Sequence, residues 1–460
     1  MRDSRKLTGR RTPIIAARSL AARVTMVVAL AIGLPITARA ESLLELYRLA
    51  QQNDPALRAA GHALAAAQEK LPQARAGLRP QVSATAARTH SHGFYNFAPN
   101  PDSEREVTSW NWALQLTQPL IRVQNWRALS QAQAQQELAQ AQYALAQQEM
   151  ILRLVQAYVE VEVARQSIAA TEAQMRAVQE LLAQNRKGFT AGTHAITDVY
   201  EAQSRLELAR AQRVGALNEL STKEAELVKL VGVLPAKLEP LKDTATLPLP
   251  MPLDVQTWSE QARNEALQVR VQQAAVAVAE KEVRKNSAAH LPTLDFTASY
   301  GRNASSGSSS TPQDFSSSSQ AGQFGIQLTV PLYAGGGMQS KVRESLAQLE
   351  QARAELETAQ RSAVALARQS FNGVLNAQAQ AQALQAAIES SESAIKGNRI
   401  GVQLGTRINI DVLNAEQQLF TAQRDLIKAR YDMLLSGFKL KAAAGSLTET
   451  DVEIADRGFR

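Results

Sequence analysis

The chain contains the same unit twice, separated by 212 to 213 residues. Gly188–Thr193 returns as Gly401–Thr406, and Asp198 returns as Asp411. The same separation joins four further pairs: Arg79-Pro80 with Leu291-Pro292, Pro119-Leu120 with Pro331-Leu332, Leu206 with Leu419, and Gly232 with Gly445. A constant separation kept over about 150 residues indicates a duplicated unit, so the fold is interpreted one repeat at a time.

The first 40 residues have the order of a secretory signal. A basic start is followed by the short apolar stretch Val24–Leu34, and small residues then predict cleavage between Ala40 and Glu41. Residues 1–40 hold eight of the 50 Lys and Arg and one of the 43 Asp and Glu, which leaves 42 of each sign in the rest. A neutral remainder gives no composition argument for nucleic-acid binding. A disordered basic tail is the alternative interpretation of this segment.

The absence of cysteine limits the chemistry of the chain. It excludes disulfides, thiol catalysis, cysteine zinc sites and a lipidated N-terminal cysteine. No run of 18 apolar residues follows residue 40, so no membrane-spanning helix is predicted. We therefore expect an exported protein of the periplasm, the outer membrane or the medium.

Each repeat is predicted to contain a helix, two strands, a very long helix and a returning helix. The first repeat covers 41–232, with strands at about 80–90 and 107–119 and helices at about 123–187 and 195–231. The second covers 259–445, with strands at about 292–302 and 322–332 and helices at about 337–398 and 408–443. Residues 233–258 join the repeats, and 446–460 form a C-terminal tail.

The predicted strands alternate between apolar and polar residues over about 10 residues, the length that a tilted strand needs to cross a membrane. A soluble, half-buried hairpin is the alternative. Four strands cannot close a barrel, and open strand edges are not tolerated in lipid, so membrane strands require several copies of the chain. Lipid-facing aromatic residues would form an interfacial girdle, with core packing as the competing interpretation: Trp110, Trp112, Tyr300, Phe324 and Tyr333.

The helices that follow the strands are exceptionally long. Trp126–Lys187 contains no glycine or proline, which predicts a helix of about 90 Å at 1.5 Å per residue. Apolar residues in the returning helices recur every seven positions, as in Val412, Leu419 and Leu426, so the helices are expected to pack as coiled coils. The predicted fold is mainly α-helical, with membrane β-strands that continue into a helical periplasmic tube.

Several short motifs resemble the TolC family of outer-membrane channel proteins. They are Glu41–Tyr47, Asn53-Asp54-Pro55, Arg79-Pro80, Pro119-Leu120, Pro331–Gly336 and Gly405–Leu413. The resemblance implies a homotrimer with a 12-stranded barrel and a 12-helix periplasmic tunnel. It also implies an equatorial domain built from the segment around 233–258 and the C-terminal tail. The implied partners are a periplasmic adaptor (membrane fusion) protein and an inner-membrane ABC or proton-driven transporter, in type I protein secretion or drug efflux.

The resemblance places the periplasmic entrance and the adaptor-docking tips at the two turns between long and returning helices. These tips contain Gly188, Gly192, Thr193, Gly401, Gly405 and Thr406. By the same resemblance, Arg407 pairs with Thr197 and Asp198 and closes the entrance, while Val402 stands where the family has a tyrosine partner. An ordinary solvated charge at a helix end is the alternative interpretation of Arg407.

The resemblance also implies acidic rings at the entrance. Asp411 matches the first ring, but the second position is the uncharged Asn414. Glu201 lies one helical turn from Asp198 on the same face, and we expect it to replace part of the missing charge. Such rings attract cations. Exposed acids on a coiled-coil surface are the alternative.

No pattern predicts catalysis, a cofactor or a metal site. His90 and His92 share a strand face but lack further ligands, and the glycines of 335–341 lack the Gly-Lys-Ser/Thr order of a phosphate loop. Two rival functions stay open. One is a heavy-metal or small-molecule efflux channel of a proton-driven pump, and the other is a structural periplasmic coiled-coil protein.

Overall fold

A computed structural model describes residues 42–96, 98, 103–235, 238–242, 249–308, 311 and 313–459. The predicted signal, with its cleavage between Ala40 and Glu41, lies outside the described residues. The described first half contains α1 Leu43–Asn53, α2 Pro55–Gln68, α3 Lys70–Ala76, β1 Gln81–Tyr95, β2 Ser103–Ile121, α4 Val123–Thr190 and α5 Ile196–Val231. The second contains α6 Val255–Glu265, α7 Leu267–Ser287, β3 Thr293–Ser306, β4 Ser316–Thr329, α8 Gly337–Gln403, α9 Asn409–Ala443 and α10 Glu449–Phe459.

The four strands form one antiparallel sheet in the order β1-β2-β3-β4. The two hairpins join through β2 and β3, where Trp112 lies opposite Arg302 and Leu114 opposite Tyr300. Within the described residues of one copy, the outer edges of β1 and β4 carry no partner strand. The sheet is therefore an open segment with two edges available for pairing.

The strand register separates the side chains into an apolar face and a polar face. Trp110, Leu114, Phe296 and Phe324 belong to the apolar face, because directly opposed residues point to the same side of a sheet. The polar face holds mainly hydroxyl and amide side chains, including Ser83, Thr85, Asn111, Gln115, Thr117, Thr297, Ser299, Gln323 and Gln327. On the apolar face Phe324, Ile326 and Leu328 are 84%, 66% and 63% exposed in the single copy. A lipid environment would cover this face and leave the other to water.

All four strands differ from the predicted extents at their ends. β1 continues to Tyr95 and β2 begins at Ser103, several residues beyond the predicted limits of about 90 and 107. β3 ends at Ser306 and β4 begins at Ser316, so part of the segment 303–321 between the two predicted strands is itself strand. These polar ends pair through backbone hydrogen bonds, which do not require an apolar face.

Each hairpin of the sheet is followed by a pair of long helices, with residues 330–336 between β4 and α8. Only Arg122 separates β2 from α4. The helices α4 and α8 contain 68 and 67 residues, so each is about 100 Å long at 1.5 Å per residue. They return as α5 and α9, of 36 and 35 residues. Among the described helices, none has the length and apolarity needed to span a bilayer.

The largest apolar core lies beside the middle of the long helices. Leu43, Leu46, Leu154 and Tyr158 are fully buried there with residues of α5, α9 and α10. The Tyr158 hydroxyl donates a 2.6 Å hydrogen bond to the Glu239 carbonyl. Burial, and then the nearby Glu162, raise the pKa of Tyr158. This core brings the segment between the repeats and the C-terminal segment together against the middle of α4.

The Asn53-Asp54-Pro55 turn connects the first helices to the long ones. Asn53 Nδ2 donates to the Val231 carbonyl at 2.9 Å. Asp54 caps α2 by accepting from the Ala56 amide at 2.9 Å, and its second oxygen accepts from Arg153 of α4 at 2.6 Å. The turn is therefore a three-way junction, which explains why these three residue types stand together.

Candidate functional site

The two tips, Gly188–Ile196 and Gly401–Ile408, have the same backbone hydrogen bonding. In the first, the amide and hydroxyl of Thr193 both donate to the Gly188 carbonyl, at 2.9 and 3.1 Å. In the second, the amide and hydroxyl of Thr406 donate to the Gly401 carbonyl, at 2.8 and 3.1 Å. This agreement shows that the duplicated Gly-x-x-x-Gly-Thr segment specifies a helix-ending turn.

The glycines of the tips serve two separate purposes. Gly192 and Gly405 both have φ of +74°, the left-handed conformation that glycine adopts without strain. Gly188 and Gly401 lack room for a side chain, since an added Cβ would lie 2.6 Å from the His194 ring and from Arg407 Cγ respectively. His194 therefore packs directly on the end of α4, and Arg407 packs on the end of α8.

An asparagine supports each turn, and Asn185 is buried while Asn398 is half-buried. Asn185 Nδ2 donates to the Asp198 carbonyl at 3.0 Å, and Asn398 Nδ2 donates to the Asp411 carbonyl at 3.2 Å. The two asparagines are 213 residues apart, so the repeat contained the signal that could have found them.

Arg407, which lies just before α9, forms an ion pair with Asp411 in the first turn of α9, with 3.6 Å between Nη1 and Oδ2. Asp198, the repeat counterpart of Asp411, instead accepts from the Ala195 amide at 3.2 Å and caps α5. The structure does not bring Arg407 to Thr197 or Asp198 within the described part of one copy. Thr197 and Glu201 are exposed, and Val402 is half-buried. The pairing of Arg407 with Thr197 and Asp198 thus stays a prediction.

Arg205 provides a cross-connection between the two helix pairs that the sequence did not indicate. From α5, it donates to Gln417 Oε1 at 2.6 Å and to Asn414 Oδ1 at 3.2 Å, both on α9. Asn414 is the position where the resemblance implied a second acid. Here its amide oxygen accepts from the Arg205 guanidinium, so a positive charge lies beside this position.

His194 provides a second cross-connection, closer to the tips. Its Nδ1 lies 3.3 Å from Asn185 Oδ1 and 3.3 Å from Asn409 Nδ2 of the second helix pair. Asn185 and Asn409 are both buried. A small apolar core backs these contacts with Val178, Leu182, Val199, Ala202, Leu206 and Leu413. Polar bridges and this core together hold the two tips side by side.

Both tips carry exposed apolar side chains. Leu404 and Ile408 at the second tip are 73% and 63% exposed, and Phe189 at the first is 45% exposed. Nowhere in the described ranges do three or more histidine and acidic side chains come together as metal ligands.

The predicted aromatic residues Trp110, Trp112, Tyr300 and Phe324 share the apolar sheet face, and Tyr333 lies beyond the end of β4. Their contact with lipid stays a prediction.

Comparisons with known proteins match nearly the whole chain. The family model described as "Outer membrane efflux protein" matches residues 46–233 and again 258–446. The chain is 32% identical to the "Proteases secretion protein PrtF" of Dickeya chrysanthemi, over 95% of this chain and 94% of the relative. It is also 32% identical to the "Outer membrane protein TolC" of Escherichia coli (strain K12), over 91% and 85%. The Campylobacter jejuni CmeC outer membrane channel has the same fold, with a TM-score of 0.76 over 91% and 89% of the two chains at 16% identity.

Proposed function

The chain belongs to the outer membrane efflux protein family, and on that premise we propose that it is the exit duct of a type I protein secretion system. It is a channel protein of the outer membrane, with its helical part in the periplasm. The two-faced sheet that continues into helices of about 100 Å supports this function most directly. A sheet buried in a soluble core would not leave an apolar face so exposed.

The open sheet edges support a trimer. Within the described residues, β1 and β4 each leave one edge unpaired, and such an edge is not tolerated in the hydrocarbon region. Pairing β4 of one copy with β1 of the next closes a barrel, and three copies would give 12 strands, within the range of outer-membrane barrels. The six helix pairs would then enclose a periplasmic tunnel.

The paired tips support a closable periplasmic entrance. In the trimer, we place Arg407 of one copy beside Thr197 and Asp198 of its neighbour, while Arg205 and His194 join the two helix pairs within each copy. The exposed tips would dock on a periplasmic adaptor, which connects the duct to an inner-membrane transporter. Energy for transport would come from that transporter, and the duct itself would carry out no reaction.

The role in the name of the PrtF relative, protease secretion, favours protein cargo over small molecules. The test uses a host that lacks its own exit duct and carries a protease secretion transporter with its adaptor. Expression of this chain is expected to restore protease activity in the medium. Resistance to toxic dyes without protease secretion would instead favour the duct of a proton-driven efflux pump. A chain that stays in the periplasm as a soluble monomer would be the structural coiled-coil protein, and the proposal would be wrong.

Asp411→Asn is expected to reduce the preference of the channel for cations, because three copies would remove three carboxylates from the entrance. Partial neutralisation by Arg407 at 3.6 Å limits the effect to about twofold in the cation-to-anion permeability ratio. Reversal potentials in planar bilayers under a salt gradient measure it. Glu201→Gln tests whether Glu201 supplies part of the same field, and Glu453→Gln on α10 is the control. An unchanged ratio in Asp411→Asn excludes the ring.

A further inference from the structure

Two arginines stand out on the apolar face of the sheet. Arg88 lies opposite Trp110, and Arg302 lies opposite Trp112. In the described strands, no other Arg, Lys, Asp or Glu lies on this face between the level of Leu294 and that of His90. Both are exposed. A charge on the lipid side of a barrel is unfavourable near the midplane and tolerated near the interface, so the height of these arginines matters.

The register places both arginines at the upper end of the apolar band, on the side away from the helices. On β3 the band runs from Leu294 to Ala304, about 25 Å of height for strands tilted by about 40°. That height equals the apolar band of an outer-membrane barrel, so Arg302 and Arg88 lie at the boundary of the outer leaflet. The nearest acids on this face, Glu104 and Glu106, lie further out on β2.

The surroundings of the arginines suit a lipid headgroup that carries both phosphate groups and uncharged polar groups. Arg302 Nε donates to Ser318 Oγ at 3.1 Å, which orients the guanidinium. Trp112 packs edge-on against Tyr300 with ring centroids 5.8 Å apart. Arg88 on β1 and Arg302 on β3 are about 10 Å apart across the sheet and are offset by two residues along it, so their backbones are about 12 Å apart. Guanidinium groups bind phosphate through paired hydrogen bonds, and indole rings favour the interface between lipid and water.

We propose that Arg88 and Arg302, with Trp110 and Trp112 between them, bind the phosphorylated glycolipid of the outer leaflet. One phosphate group would lie at each guanidinium, and the sugar part would lie over the indole rings. A trimer would carry three such sites. The inference depends on the proposed membrane orientation, and it adds a lipid that stabilises the assembled barrel from outside.

The test measures lipid retention by the purified trimer in neutral detergent, using native mass spectrometry. The probe is a bisphosphorylated glucosamine-disaccharide lipid, compared with its dephosphorylated form and with phosphatidylglycerol. Selective retention of the bisphosphorylated lipid is expected. Arg88→Gln or Arg302→Gln should weaken retention about fivefold, and the double variant about 25-fold. Equal retention of all three lipids would overturn the proposal.

Two further variants separate charge from folding. The Arg88→Lys, Arg302→Lys variant keeps both charges and is expected to retain at least about half of the lipid. If its retention falls as far as that of the glutamine variant, charge does not hold the lipid and the site is wrong. Arg343→Gln with Arg361→Gln on α8 removes two charges elsewhere, and an equal loss in this control also contradicts the site. Conductance of the unmodified chain in zwitterionic bilayers tests the proposed function separately. If the chain forms channels there but retains the three lipids equally, only the lipid site is refuted.

Discussion

Gly445→Ala is expected to destabilise the protein strongly. Gly445 ends α9 with φ of +72°, and an added Cβ would lie 2.2 Å from the Glu265 carbonyl oxygen at the end of α6. Left-handed backbone costs alanine about 1–2 kcal/mol, and forced separation of packed helices adds about 1–3 kcal/mol. Moving α6 would also open the core around Trp258 and Ala444.

The duplication supplies a matched control for this prediction. Gly232 ends α5 with φ of +84°, but its added Cβ would meet only the Asn53 side chain, at 3.5 Å. Gly232→Ala should therefore show the backbone strain alone. The apparent melting temperature of the detergent-purified protein, followed by circular dichroism at the helix band, compares the two variants. Equal shifts in the two variants would contradict the steric argument.

Arg205→Gln is expected to shift the periplasmic entrance toward its open state. The substitution removes the hydrogen bonds from α5 to Gln417 and Asn414, which join the two helix pairs of one copy. Charge-assisted hydrogen bonds contribute about 1.5–3 kcal/mol when buried, and partial exposure reduces this to about 1 kcal/mol. A change of that size raises the ratio of open to closed channels about fivefold.

Single-channel recording in planar bilayers measures the change as longer or more frequent high-conductance states. Arg210→Gln is the control, because Arg210 lies on the same helix and pairs with Glu207 of its own helix at 2.7 Å. Arg407→Ser should add to the effect if Arg407 acts between copies, since the two arginines would then close the entrance independently. Identical recordings from the Arg205 and Arg210 variants would show that the α5–α9 bridge does not control the entrance.

Much of the architecture was predictable because periodic burial leaves a periodic sequence. The alternation around Trp110 and Leu114, or around Phe296 and Phe324, separates the same two faces that the register shows. The mainly helical fold with membrane strands is confirmed. The outer strand ends were not predictable, since Ser316–Ser319 pair through the backbone and place only serine side chains on both faces of β4.

The contacts at the tips and at the start of α10 differ in how far the sequence could reveal them. Asn185 and Asn398 follow the repeat, and Thr448 with Asp451 forms a helix-start pattern that would have found α10 in the segment expected as a tail. By contrast, Arg205 meets residues more than 200 positions away, and its repeat counterpart is Gln418. No local pattern indicates which of many exposed arginines on a long helix will find a partner on another.

The near-identical lengths of the paired helices restrict how this protein can change in evolution. Because α4 and α8 differ by one residue, as do α5 and α9, the two tips end at the same level and can share the contacts of Arg205 and His194. A two-turn insertion in α4 alone would raise one tip by about 10 Å and break them. Family members whose helices extend further or less far are therefore expected to carry insertions or deletions of equal length in all four helices, α4, α5, α8 and α9.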